Sequence, residues 1–309
     1  MRLVTRSDFD GLACGALLKE AGLIDSYQFV HPKDVQDGLV QIGPNDILAN
    51  VPYSNGVGMW FDHHTSEGER LGSISYRGMS RIAPSCARVI YDFLGGPSRY
   101  SPHWDPVMEA VDKVDSANLT INEIQYPTGW ILIGFLMDPR TGLGRFRNFR
   151  ISNYSLMEAL IDMCRSHTAD QILQHPDVKE RSELYFGHAH LYENMLRNCS
   201  RLIGQVLIID FREQETIYPG NRFLPYTLFP ECKVSIHVTW GREATNVALA
   251  MGNSIINRDS LANLGSIALH FGGGGHEAVA TCQVAKNDLD ETLDTIVSFI
   301  HEENGYPGA

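Results

Sequence analysis

The sequence predicts an α/β protein: an N-terminal domain built on a parallel, doubly wound sheet, and a smaller C-terminal domain of mixed α+β type. Three observations carry this. Strand-like runs alternate with helix-period runs from Met1 to Gly96, the pattern of a parallel sheet. Acids and histidines follow the ends of those strands, the edge where open parallel sheets place their chemistry. From about residue 201 the pattern turns β-rich. At 309 residues the chain exceeds the size at which a single core stops growing. We therefore expect residues 1–150 as the first domain, 151–200 as a helical linker and 201–309 as the second domain.

Each element follows from local pattern. MRLVT is a short strand. GLACGALLKEAG repeats its apolar residues at the helical period and ends at Gly22. YQFVH, DILANV and GVGMWF are further strands, the last running into Asp62. SCARVIYDFLGG is a helix closed by glycines. SLMEALIDMCRSH and KERSELYFGHAHLYENMLRNC are helical, whereas RLIGQVLIIDF, CKVSIHVTW and NVALAMGNSII are strand-like.

Composition narrows the functional classes. Formal net charge is −12, against the basic face that proteins gripping long nucleic acid show. A short nucleotide stays possible, because a metal or a local basic pocket supplies positive charge; long duplex DNA does not. No run reaches the roughly 20 apolar residues of a membrane span, and acids interrupt the N-terminal apolar stretch, so no membrane partner is expected. The six cysteines are scattered without a C-x-x-C pair, which points to a reducing cytoplasm.

Four motifs carry candidate chemistry. Asp8-Phe9-Asp10-Gly11 places two acids past a strand end; they serve either as metal carboxylates or as a helix cap. Asp62-His63-His64 follows GVGMWF without a spacer, and carboxylate with imidazole suits Mn²⁺, Fe²⁺, Co²⁺ or Zn²⁺. Asp112 and Asp115 share one helix face, as further ligands or as a solvated surface. Gly272-Gly273-Gly274-Gly275-His276 lies between apolar runs, where successive N–H groups can cradle an anion. The remaining histidines form no cluster and are read as structural.

D-x-D-G, D-H-H and G-G-G-G-H in this order resemble the DHH phosphoesterase superfamily, in its exopolyphosphatase-related or oligoribonuclease-like branch with the DHH-associated C-terminal domain. The resemblance covers nearly the whole chain. It implies two domains facing each other across a cleft, and metal ions, usually Mn²⁺ with Mg²⁺ or Co²⁺ as substitutes, activating water for attack on phosphorus. It implies Asp8, Asp10, Asp62, His63 and Asp115 as metal residues, with Asn50 as a weak one. Asp8 and His64 are the implied catalytic residues, and Gly272, Gly273, Gly274, Gly275 and His276 the phosphate-holding element. Ser254, Asn257 and Arg258 in GNSIINR are candidates for added phosphate contacts, or an exposed turn. The resemblance also implies a homodimer as the assembly.

Two positions depart from the family pattern. Many members carry a metal-binding histidine just before the D-x-D pair; Leu3-Val4-Thr5-Arg6-Ser7 has none, and Arg6 stands there. Many carry a metal-bridging aspartate where this chain has Asn50. The expected function is a phosphoesterase, with one or two metal ions, acting on short oligonucleotides, dinucleotides or nucleoside phosphates. The alternatives are a non-catalytic nucleotide-binding or regulatory protein with a degenerate metal site, and an exopolyphosphatase.

Overall fold

A computed structural model describes residues 1–64, 71 and 74–305. The chain divides into two compact units: Met1–Leu119 with Tyr126–Gly187, and Thr120–Gln125 with His188–Ala309. Among the described residues no helix is long and apolar enough to cross a membrane.

The first unit carries a five-stranded sheet of β1 (Arg2–Thr5), β2 (Ser26–Phe29), β3 (Asp46–Ala49), β4 (Met59–Asp62) and β5 (Gly78–Ser80), in the order β2-β1-β3-β4-β5. All four pairings are parallel, as the alternating pattern predicts. β3 and β4 are buried along their whole length, so they read as continuous apolar runs. β5 escaped the sequence reading. It is three residues long and opens on Gly78, whose φ of 119° suits glycine.

Helices α1 (Phe9–Glu20), α2 (Pro32–Gln36), α3 (Cys86–Phe93) and α4 (Asp105–Asp115) precede α5 (Ile121–Gln125), which clusters with the second unit. Next come α6 (Gly129–Met137), α7 (Asn153–Met163), α8 (Ala169–Gln174) and α9 (Pro176–Gly187). From Trp130 to Met137, α6 is buried throughout, as a helix apolar on every side must be. The predicted linker 151–200 is not a separate piece. Its part up to Gly187 joins the first unit, because Ile161 of α7, fully buried, packs close against Gly15 of α1. Its remainder, including α10 (Ala189–Cys199), joins the second.

The second unit holds a mixed six-stranded sheet, β10-β11-β9-β8-β7-β6. It comprises β6 (Ser200–Ile203), β7 (Val206–Asp210), β8 (Val234–Trp240), β9 (Val247–Asn253), β10 (Gly274–His276) and β11 (Val279–Val284). RLIGQVLIIDF is a hairpin rather than one strand. Gly204 at φ 58° makes a turn that folds β6 back on β7. β7 and β8 run parallel; every other pairing is antiparallel. Residues of α12 (Leu264–Leu269) and α13 (Leu289–Glu303) complete the core over Ile208, Ile236 and Leu249, and α11 (Leu224–Leu228) is a short helix before β8.

Gly134 marks a close approach of α6 to α1 and α4. A Cβ there would lie 2.7 Å from Phe9 Cδ1 and 3.2 Å from Val114 Cγ2, on α1 and α4. Gly134→Val should therefore lower stability by about 1–3 kcal/mol, since the helix-propensity gain offsets only a few tenths. Urea unfolding checks this; a midpoint equal to the parent's would contradict the close approach.

Candidate metal centre

The carboxyl ends of β1, β3 and β4 deliver the site. Asp8 and Asp10 follow β1, Asn50 follows β3, and β4 ends on Asp62. The strand order reverses at β1, between β2 and β3, which is where ligands settle in open α/β sheets.

Asp10, His63 and Asp115 come together, each offering a ligand atom within 4.8 Å of the others. Asp10 lies in the first turn of α1 and is buried. Its two oxygens accept the backbone N–H groups of Cys86 (2.9 Å) and Ala87 (2.8 Å), at the N-terminus of α3. That end of a helix attracts an anion. Asp115, at the end of α4, reaches His63 Nε2 through Oδ2 at 3.2 Å, and Asp10 Oδ2 stands 3.8 Å from the same nitrogen. His63 Nδ1 lies 3.2 Å from the Ala83 carbonyl. An acceptor there places the ring proton on Nδ1 and leaves the Nε2 lone pair facing the carboxylates.

The charges fit a cation. Burial raises the Asp10 carboxyl to about 6, against the pull of His63. Burial and the neighbouring Asp10 raise Asp115 to about 7. Burial disfavours the His63 imidazolium, yet Asp10 and Asp115 outweigh it and raise its pKa. The buried Nε2 of His63 has no hydrogen-bond partner. An orphaned acceptor between two carboxylates is the surrounding that a bound metal ion satisfies.

The other predicted residues are placed differently. Asp8 caps α1 by accepting from Gly11 N at 2.9 Å; it also accepts Asn50 Nδ2 at 3.2 Å and pairs with Arg6 Nε at 3.1 Å. Asn50 sits at φ 56°, and its N–H faces Phe61 O and Cys86 Sγ. Asp62, fully buried, turns to His64, with 2.9 Å between Oδ1 and Nδ1. Asp112 is a clamp: it takes Ser85 Oγ at 2.7 Å and Arg88 at 2.9 and 2.7 Å, tying α3 to α4.

In the second unit the glycine run is tightly built. A Cβ on Gly273 would stand 2.1 Å from Thr281 O, and one on Gly275 would stand 2.3 Å from Val279 O. Glycine is therefore what lets β10 lie on β11, while Gly272 and Gly274 have open space and His276 is exposed. Ser254, nearly buried, spends its hydroxyl on Ile256 N and Asn257 N, and Arg258 Nε bonds Ile255 O. These three residues build a turn.

Sequence reasoning missed Arg140. Asp138 holds its Nε and Nη2 at 2.8 Å. Burial opposes its charge, but Asp138, then Asp8 and Asp115, raise its pKa. The signal was the acid two residues before the arginine in DPR, a pairing too common to single out. The backbone donors of Cys86 and Ala87 were also missed; main-chain groups carry no residue signature.

The raised carboxyls give a signed prediction. A carboxyl whose folded pKa is raised stabilises fully below its unfolded value of about 4. That stability is lost as pH climbs through about 6 and about 7. A metal ion needs both groups ionised and recovers the loss. Saturating Mn²⁺ should therefore raise the melting temperature more at about pH 8 than at about pH 5.5. An equal rise at both would remove Asp10 and Asp115 as the holders.

No protein-family model matches the chain, and a search of curated proteins gave no match. Among solved structures, it is similar to the pGpG-specific phosphodiesterase PggH from Vibrio cholerae. Identity is 48%, the alignment covers 98% of this chain and 99% of that one, and the TM-score is 0.84. It also resembles in fold RecJ from Thermus thermophilus, solved with Mn²⁺, at 14% identity and a TM-score of 0.56, over 99% of this chain and 52% of RecJ. With a 48%-identical relative along its whole length, the chain belongs to the DHH phosphoesterase superfamily.

Proposed function

We propose that the chain is a metal-dependent phosphodiesterase that hydrolyses short linear dinucleotides, pGpG foremost, in the cytoplasm. The observation that carries it is the convergence of Asp10, His63 and Asp115 at the carboxyl edge of the sheet. The 48% identity to a pGpG-specific phosphodiesterase supports the substrate, and the net charge of −12 favours a short nucleotide over a long strand.

Asp10, His63 and Asp115 would hold the ion, Mn²⁺ being the fitting choice for two carboxylates and an imidazole. Such an ion, when bound, activates water and polarises a phosphoryl oxygen. The chain's own groups do the rest. The Cys86 and Ala87 amides fix the Asp10 carboxylate. Asp62 holds His64 Nδ1 and orients the ring, whose Nε2 passes a proton to the leaving 3′-oxygen as the phosphodiester opens. Gly272–Gly275 and His276 keep, in this reading, the role of holding the terminal phosphate.

The test is turnover. With Mn²⁺, the purified chain should convert pGpG to GMP faster than it degrades longer oligonucleotides or polyphosphate. Nucleotide binding without any turnover would favour a binding or regulatory protein instead, and release of phosphate from polyphosphate alone would favour an exopolyphosphatase. Asp62→Ala should lower kcat by about 10²-fold or more while Mn²⁺ binding survives, because Asp62 faces His64. Unchanged kcat would place the proton transfer elsewhere.

A further inference from the structure

Two acids open α1, and their fates differ. Asp10 joins the cation-holding group, whereas Asp8 is engaged by protein donors. Its Oδ1 accepts Gly11 N and Asn50 Nδ2, and its Oδ2 pairs with the Arg6 guanidinium. Asp8 is buried, with 8% of its side chain exposed, and its counter-ion is Arg6, with 32% exposed. Among the described residues, the group able to hold a metal comprises Asp10, His63 and Asp115, without Asp8.

We propose that Arg6 takes the place of a second metal ion: the chain holds one metal, and the Arg6 guanidinium supplies the other positive charge to the reacting phosphate. This rests on the phosphodiesterase reading above. A two-metal site clamps the attacking and leaving oxygens with two dications, and a carboxylate between them offsets their repulsion. Here the residue facing Asp8, just past the end of β3, is a neutral amide, Asn50, and it presents a donor, Nδ2. A dication at Asp8 would meet that N–H and, at ion-pair range, a permanent positive charge. The cation slot is therefore already filled by the chain.

The guanidinium can also reach a ligand: its Nε faces Asp8 at 3.1 Å while 32% of the side chain is exposed. Two parallel N–H donors on a partly exposed, carboxylate-anchored plane match the oxygens of a phosphodiester. Arg6 directly follows Thr5, the last residue of β1, so a rigid strand aims it. Unlike a metal, it needs no loading and does not depend on metal concentration.

The test pairs stoichiometry with kinetics on the full chain. Mn²⁺ titrated calorimetrically into the metal-free protein should saturate at one ion per chain. Arg6→Gln should keep that ion with Kd changed by less than about threefold and lose about 10²-fold in kcat on pGpG. Arg6→Lys should recover part of the loss. Arg6→His combined with Asn50→Asp should take up a second ion. Two tight ions in the wild-type chain would overturn the proposal, as would undiminished turnover by Arg6→Gln. Should Arg6→Gln fail to fold, the wild-type stoichiometry decides alone. One ion with no turnover of any nucleotide would instead overturn the phosphodiesterase reading.

Discussion

The first unit is organised around a buried carboxylate. Asp10 cannot remain charged inside the protein without donors, and it finds them in two backbone amides at the start of α3. That requirement fixes α3 against α1. Ser85 caps α3 and bonds Asp112, and Arg88 closes the same clamp. The clamp orients α4, whose last residue, Asp115, then reaches His63. One desolvated charge thereby sets the position of two helices and of the ligand that the second one carries.

The arrangement leaves excess negative charge near a strand edge. Burial first, and then the neighbouring carboxylates, outweigh the backbone donors and His63, so Asp10 and Asp115 are shifted toward protonation. A structural ion pair would show the opposite shift, because a paired carboxylate is held low; Asp46, held low by Arg2, is the example in the same unit. Upward-shifted carboxyls around an orphaned imidazole nitrogen characterise a place for a cation.

Much of this was legible in the sequence because it depended on strand ends. A strand that closes on Asp62 must deliver His63 and His64 to the sheet edge, and the alternation of strands and helices predicted that edge. What was not legible depended on rotamers and on main-chain groups. Asp62 and His63 are neighbours whose side chains leave a strand in different directions, so Asp62 faces His64 while His63 faces Asp10 and Asp115. Asp112 and Asp115 share a helix face by spacing, yet Arg88 captures one of them. The short β5 and the turn at Gly204 fell below the length at which periodicity speaks. Two of the four glycines, Gly273 and Gly275, had a packing reason, the close approach to β11, that composition alone does not separate from anion binding.

The proposed chemistry of the first unit depends on Asp10, His63 and Asp115 being able to hold a metal ion. The most direct measurement is a crystal structure of the Mn²⁺-soaked chain with anomalous data at the manganese edge. The expected result is a peak within bonding distance of Asp10, His63 Nε2 and Asp115. A peak centred on Asp8 or Asp62 with none among those three, or no peak at saturating Mn²⁺, would contradict it.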